Sequence, residues 1–210
     1  MNLLNIIKGN LFIQNLASSI ISLIPAYLEF SISKYLAIKK AMLITAQDDT
    51  RGSYLEFGVF TGSSFNYAMK VNKRIEKLGY KNMDCEFVGF DSFKGFGPIK
   101  KDDEHPNHKD NVFSVNEEKV LRNIEKCAKG QKYRIIKGFY EDTIKNKTTK
   151  DLKIDKAKII MIDCDLKEPA TLALAFVKPS FQEGTIILFD DYVFFKGSKD
   201  KGEYGAFADF

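Results

Sequence analysis

YLEFGVFTGSS, residues Tyr54 to Ser64, runs from a short apolar stretch into a glycine- and serine-rich turn, and four more stretches of the same form follow it. They read EFVGFDSFKGF (Glu86–Phe96), YRIIKGFYEDT (Tyr133–Thr143), KIIMIDCDL (Lys158–Leu166) and GTIILFDDY (Gly184–Tyr192). Buried parallel strands read as near-continuous hydrophobic runs. In an open α/β sheet, ligands bind outside the carboxyl ends of those strands. Here that edge carries glycines and aspartates, a chemistry suited to a charged nucleoside and a metal.

The segments between the runs read as helices and loops. A helix is expected over Ser63–Leu78 and a long polar loop over Lys94–Ser114. A second helix is expected over Val115–Ala128, with Ser114 and Glu117 forming a capping box at its start. The lysines from Lys145 to Lys158 read as a solvated loop and helix end. A helix near Ala170–Val177 precedes the fifth run. Strands alternating with helices imply right-handed crossovers and a parallel sheet. The expectation is an α/β, Rossmann-like domain over residues 51–210, helices on both faces, after a helical extension over residues 1–50.

That extension carries no charge from Gly9 to Leu28. A membrane-spanning helix needs about 20 predominantly apolar residues, and Gln14, Asn15, Ser18, Ser19 and Ser22 interrupt this stretch. It reads instead as an amphipathic helix over Leu3–Leu23, then a second helix over Ala26–Ala46. The pair is a candidate for homo-oligomer contacts or a lid, with a membrane surface the lesser reading.

Composition narrows the class. The 210 residues, 44% of them hydrophobic, suffice for one α/β domain with an added element. The net charge of +4 comes from mixed signs with no arginine stripe, which argues against nucleic acid. Cys85, Cys127 and Cys164 have neither metal-type nor paired spacing, and point to reduced thiols in a cytoplasmic protein. Cys85 and Cys164 read as small core residues.

Each strand end carries its own chemistry. Glu56, Gly58 and Gly62 form an E-x-G-x-x-x-G turn, where glycine allows close backbone approach and the following helix presents N–H groups. This is not the GxGxxG dinucleotide pattern. Asp91 closes the second run, where an acid accepts hydrogen bonds from ribose hydroxyls or caps a helix. The two features lie in order and about 30 residues apart, as in nucleoside-binding βαβ units. Asp163, Asp165, Asp190 and Asp191 cluster at two more strand ends, an arrangement that calls for a cation or a shared proton. Oxygen-only ligands suit Mg²⁺, Ca²⁺ or Mn²⁺.

EFGVFTGSS, GFDSFKGF, KGFYEDT, IDCDL and GTIILFDDY, in this order and spacing, resemble the TylF/MycF (macrocin O-methyltransferase) family from Tyr54 onward. That resemblance implies a class I S-adenosylmethionine-dependent O-methyltransferase using Mg²⁺ and acting on a sugar or glycosylated small molecule. Glu56, Gly58 and Gly62 would then shape the methionine and ribose end of the cofactor pocket. Asp91 would bind the ribose, Ser92 and Phe93 would flank the adenosine, and Glu141 and Asp142 would lie by the adenine. Asp163, Asp190 and Asp191 would hold the metal. The acceptor's proton would go to Asp163 or to His105 (or His108) in the loop after the second strand.

The chain departs from the family pattern at Leu166–Thr171, positions expected to face the acceptor. A full class I fold also continues through a further strand pair, whereas this chain ends at Phe210. The alternative reading is therefore a cofactor-binding or oligomerising relative without catalysis.

Overall fold

The structure is a computed structural model that describes residues 10–80, 84–99 and 112–210. It falls into two compact units, residues 1–36 and 37–210. In the first, helix α1 (Leu11–Ser22) starts at Asn10, whose side chain accepts from the N–H groups of Phe12 and Ile13. Helix α2 (Ala26–Gln47) begins there and continues into the second unit, where it buries Ile38, Ala41, Met42 and Thr45. No single helix among the described residues is long and apolar enough to cross a membrane, and α1 and α2 are bent by 119° at their junction.

Among the described residues the second unit holds five parallel strands: β1 (Ser53–Phe57), β2 (Phe87–Asp91), β3 (Tyr133–Lys137), β4 (Ala157–Ile162) and β5 (Ile186–Phe189). Their order is β3-β2-β1-β4-β5. All neighbouring pairs are parallel. The helices between them are α3 (Ser63–Lys77), α4 (Glu117–Ala128), the single turn α5 (Tyr140–Thr143) and α6 (Lys167–Val177); α7 (Gly202–Asp209) follows β5.

The apolar runs explain the sheet. Successive strand residues face opposite sides, so β1 sends Tyr54 to one core and Leu55 and Phe57 to the other. The first core gathers Tyr54, Phe87, Ile159 and Met161 under Phe65 and Met69 of α3 and Ile124 of α4. The second packs Phe57, Phe90 and Ile162 against Leu174, Phe176 and Val177 of α6. Phe57 and Phe90 stack with ring centroids 4.5 Å apart. Each such side chain, fully enclosed, contributes about 1.5–3 kcal/mol. Central strands β1, β2 and β4 are buried on both faces, whereas the edge strands β3 and β5 are half-buried.

Three local expectations change. Helix α4 begins two residues later than expected, and its cap is Asn116, whose Oδ1 accepts from Lys119 N–H at 2.9 Å. Ser114 is instead paired with Lys94 in an antiparallel bridge. Helix α6 starts at Lys167, three residues before the expected Ala170. Lys158 is no part of a solvated loop. It lies in β4 where the register against β1 shifts, and is only 2% exposed, with its ammonium against the Cys85 thiol. Cys85 and Cys164 are buried free thiols, as the sequence suggested.

Candidate active site

All the chemistry singled out in the sequence that falls among the described residues lies at or just beyond the carboxyl edge of the sheet. At the end of β1, Glu56 is completely enclosed. It accepts from the Tyr54 hydroxyl and from Ser64 Oγ at 2.7 Å, so it ties the strand to the first turn of α3. The burial and the Glu56 charge push the Tyr54 hydroxyl well above its ordinary pKa, so it stays a donor. Gly58 has φ +98°, and a β-carbon there would lie 1.7 Å from the backbone oxygen of Asp163. Its N–H continues the ladder to Phe90 O at 3.0 Å, and Asp163 N–H bonds Phe57 O at 2.8 Å. Glycine is thus what lets the end of β4 close against the β1 turn. Gly62, also left-handed, is the N-cap of α3.

Asp91 at the end of β2 is a junction. One carboxylate oxygen accepts Phe60 N–H and the other Phe93 N–H, both at 2.6 Å. Phe60 and Phe93 both have positive φ, 48° and 58°, a strained backbone for bulky residues. Asp91 therefore holds two strained turns on adjacent strands in place. Burial raises its pKa, and the backbone N–H bonds oppose that. A carboxylate offers about four lone-pair sites, so each oxygen can still accept a hydroxyl. Ser92 bonds within its own turn, donating to Gly95 O and accepting from Lys94 N–H, both at 3.0 Å. Phe93 is in the first core, 4% exposed. Glu141 and Asp142 open α5 at the end of β3 and are exposed.

The sequence reading missed an aromatic trio. Phe60 meets Phe113 edge-on at 5.5 Å, and Phe96 meets Phe113 at 5.1 Å. Phe96 stands in the quoted FDSFKGF, but Phe113 lies at the far end of the long loop, and only folding shows that they meet. His105 and His108 lie outside the described residues.

At the ends of β4 and β5, Asp163, Asp190 and Asp191 converge. Each offers an oxygen within 4.8 Å of the others, and all three are half-buried. Asp190 N–H extends the ladder to Ile162 O at 3.1 Å, which brings the two strand ends side by side. Burial, then the carboxyls of Asp165, Asp190 and Glu203, push the Asp191 carboxyl up to about 9. Such crowding of like charge is the condition a divalent cation relieves, and the all-oxygen donor set fits a hard one. The altered segment after β4 is partly taken up by packing. Leu166 and Ala170 are buried, and Lys167 pairs with Asp209 at 2.8 Å.

No curated protein compared with the chain matches it. Among solved structures, the O-methyltransferase NovP superposes with TM-score 0.65 at 22% identity, over 80% of this chain and 69% of that one. The calicheamicin methyltransferase CalS11 gives TM-score 0.70 at 18% identity, over 98% of this chain and 80% of that one. Its apo form gives 0.57 at 19%, over 97% and 80%. These likenesses show a Rossmann-like methyltransferase fold. The macrocin-O-methyltransferase (TylF) family model matches residues 33–204, all five strands and the acidic strand ends included, and the chain belongs to that family.

Proposed function

We propose that this O-methyltransferase uses S-adenosylmethionine and a divalent cation, Mg²⁺ in the first instance, to methylate a hydroxyl of a sugar or glycosylated small molecule. The observation that carries the reading is the convergence of Asp163, Asp190 and Asp191, with Asp163 packed against the Gly58 turn. The description of CalS11 as a TDP-rhamnose 3'-O-methyltransferase supports a nucleotide-linked sugar as the acceptor class. The three free cysteines support a reducing, cytoplasmic setting.

When bound, the cofactor supplies an electrophilic methyl group and the cation lowers the pKa of a hydroxyl beside it. The chain supplies position. Asp91 accepts the ribose hydroxyls, and its two backbone bonds keep the carboxylate from turning away. Glu56 acts from behind, holding β1 and α3 at the separation the glycine turn requires. Glu141 and Asp142 serve the adenine side. Asp190 and Asp191 would hold the cation with Asp163, and an oxygen of Asp163 would take the acceptor's proton. Fixing the acceptor in line with the methyl group would contribute up to about 7–11 kcal/mol to lowering the barrier.

Calorimetric titration with S-adenosylhomocysteine, followed by turnover of nucleotide sugars with Mg²⁺ or EDTA, tests the reading. Saturable one-site binding and EDTA-sensitive turnover are expected. Asp190→Asn should retain the binding and lose the metal-dependent turnover. A folded protein that does not bind S-adenosylhomocysteine would instead be a relative without catalysis.

A further inference from the structure

Glu203 was not singled out in the sequence, yet it is one of the most enclosed charged groups in the chain, with no exposed surface. It stands in the first turn of α7, where the helix dipole favours a negative charge. One carboxylate oxygen accepts from Cys164 N–H at 3.1 Å and Asp165 N–H at 3.3 Å. The other accepts from Asp191 N–H at 3.2 Å. These amides belong to two separate strand-end loops. The first two directly follow Asp163, and the third lies between the Asp190 and Asp191 side chains.

We propose that Glu203 is a positioning residue for the acidic cluster, a clamp that sets the separation of the β4 and β5 loops at which Asp163, Asp190 and Asp191 can share one cation. The proposal rests on the divalent-cation reading above. At 3.1–3.3 Å the three bonds are of ordinary length, but buried amides left unpaired are costly. Without Glu203 all three amides would lose this acceptor at once. Asp165 also has φ +61°, a strained conformation that the bond to Glu203 helps to hold.

The clamp is itself anchored. At Gly205 a β-carbon would lie 2.7 Å from Lys199 O, so α7 sits tightly on the segment that follows the Asp190–Asp191 loop. The Lys167–Asp209 pair fastens the other end of α7 to the start of α6. Outer groups that orient metal ligands commonly change metal affinity ten- to a hundredfold when removed.

Glu203→Gln tests the clamp, because an amide keeps the shape but puts an N–H₂ donor where one of the backbone donors needs an acceptor. Three quantities are read on the full chain: Mn²⁺ affinity by electron paramagnetic resonance, S-adenosylhomocysteine affinity by calorimetry, and amide exchange at Cys164, Asp165 and Asp191 by NMR. The expected result is Mn²⁺ affinity roughly tenfold weaker, faster exchange at those amides, and unchanged S-adenosylhomocysteine affinity. Glu203→Asp, which keeps both acceptor oxygens on a shorter arm, should fall between the variant and wild type, and takes its place should Glu203→Gln fail to fold. Unchanged Mn²⁺ affinity in a folded variant overturns the proposal. A parallel loss of S-adenosylhomocysteine affinity overturns it too, since a merely structural residue would weaken both. Should the wild-type protein bind no Mn²⁺, the metal reading fails. The exchange rates then judge the clamp alone, unaltered protection overturning it and faster exchange supporting it.

Discussion

At Gly58 the requirement for glycine is steric as well as conformational. The residue has positive φ, and the missing β-carbon would overlap the Asp163 backbone. Gly58→Ala should therefore destabilise by at least about 2 kcal/mol, from strained backbone plus displaced contacts, in urea unfolding. Gly130, also at positive φ but with nothing within 4 Å of a β-carbon, is the control, with an expected cost of only about 1 kcal/mol for Gly130→Ala. Asp91 has two duties at one residue. Asp91→Asn should weaken S-adenosylhomocysteine binding and also cost about 1–3 kcal/mol, because Phe60 or Phe93 N–H then faces a donor. Titration and unfolding of the same sample separate the two effects. The presence of an acid at this strand end was legible in the sequence. Its grip on Phe60 was not, since the bond spans two strands that only the sheet brings together.

At the scale of elements, the strands were the most legible, because a buried parallel strand needs an apolar run and little else. The helix ends were less so. Ser114 and Glu117 have the spacing of a capping box, but Ser114 is engaged in the bridge to Lys94, and the role passes to Asn116. Asn116→Ala should cost about 1 kcal/mol, seen as a lower denaturation midpoint, whereas Ser114→Ala leaves that cap in place. A larger loss at Ser114 would restore the capping-box reading. Lys158 shows the opposite failure. Its neighbours Lys153 and Lys156 suggested a solvated run, but the shift in the β1–β4 register turns it inward.

For the whole molecule, the acidic edge sets a pH dependence. Asp191 is pushed up to about 9 and Glu203 to about 8, from ordinary values of 3.8 and 4.5. Burial is the first cause in both. A carboxyl whose folded pKa is raised stabilises the fold while protonated, so that contribution is complete below the ordinary values and is lost as pH rises through about 8 to 9. Asp91, also raised, acts in the same sense. Asp151, held low by Thr148, acts in the opposite sense, its contribution lost only as pH falls below the ordinary carboxylate range. The thermal midpoint of metal-free protein should thus fall from about pH 5 to about pH 9. Mg²⁺ should restore it at the alkaline end, because the cation takes the place of protons on the same carboxylates. Calorimetry with EDTA or Mg²⁺ across that range checks both, and a midpoint that rises with pH without metal would contradict the crowding of charge described here. The five strands, the alternation of strand and helix, and the acids and glycines that end the strands were legible along the chain, since apolar runs and turn residues act over a few neighbours. Folding was needed to place β4 beside β1, to close Asp163 on Gly58 and bring it to Asp190 and Asp191, to set Phe113 against Phe60, and to let Glu203 join two loops from a helix beyond them. Those outcomes depend on which distant segments pack together, and the energy that selects such a packing belongs to the whole core, not to any local run of residues.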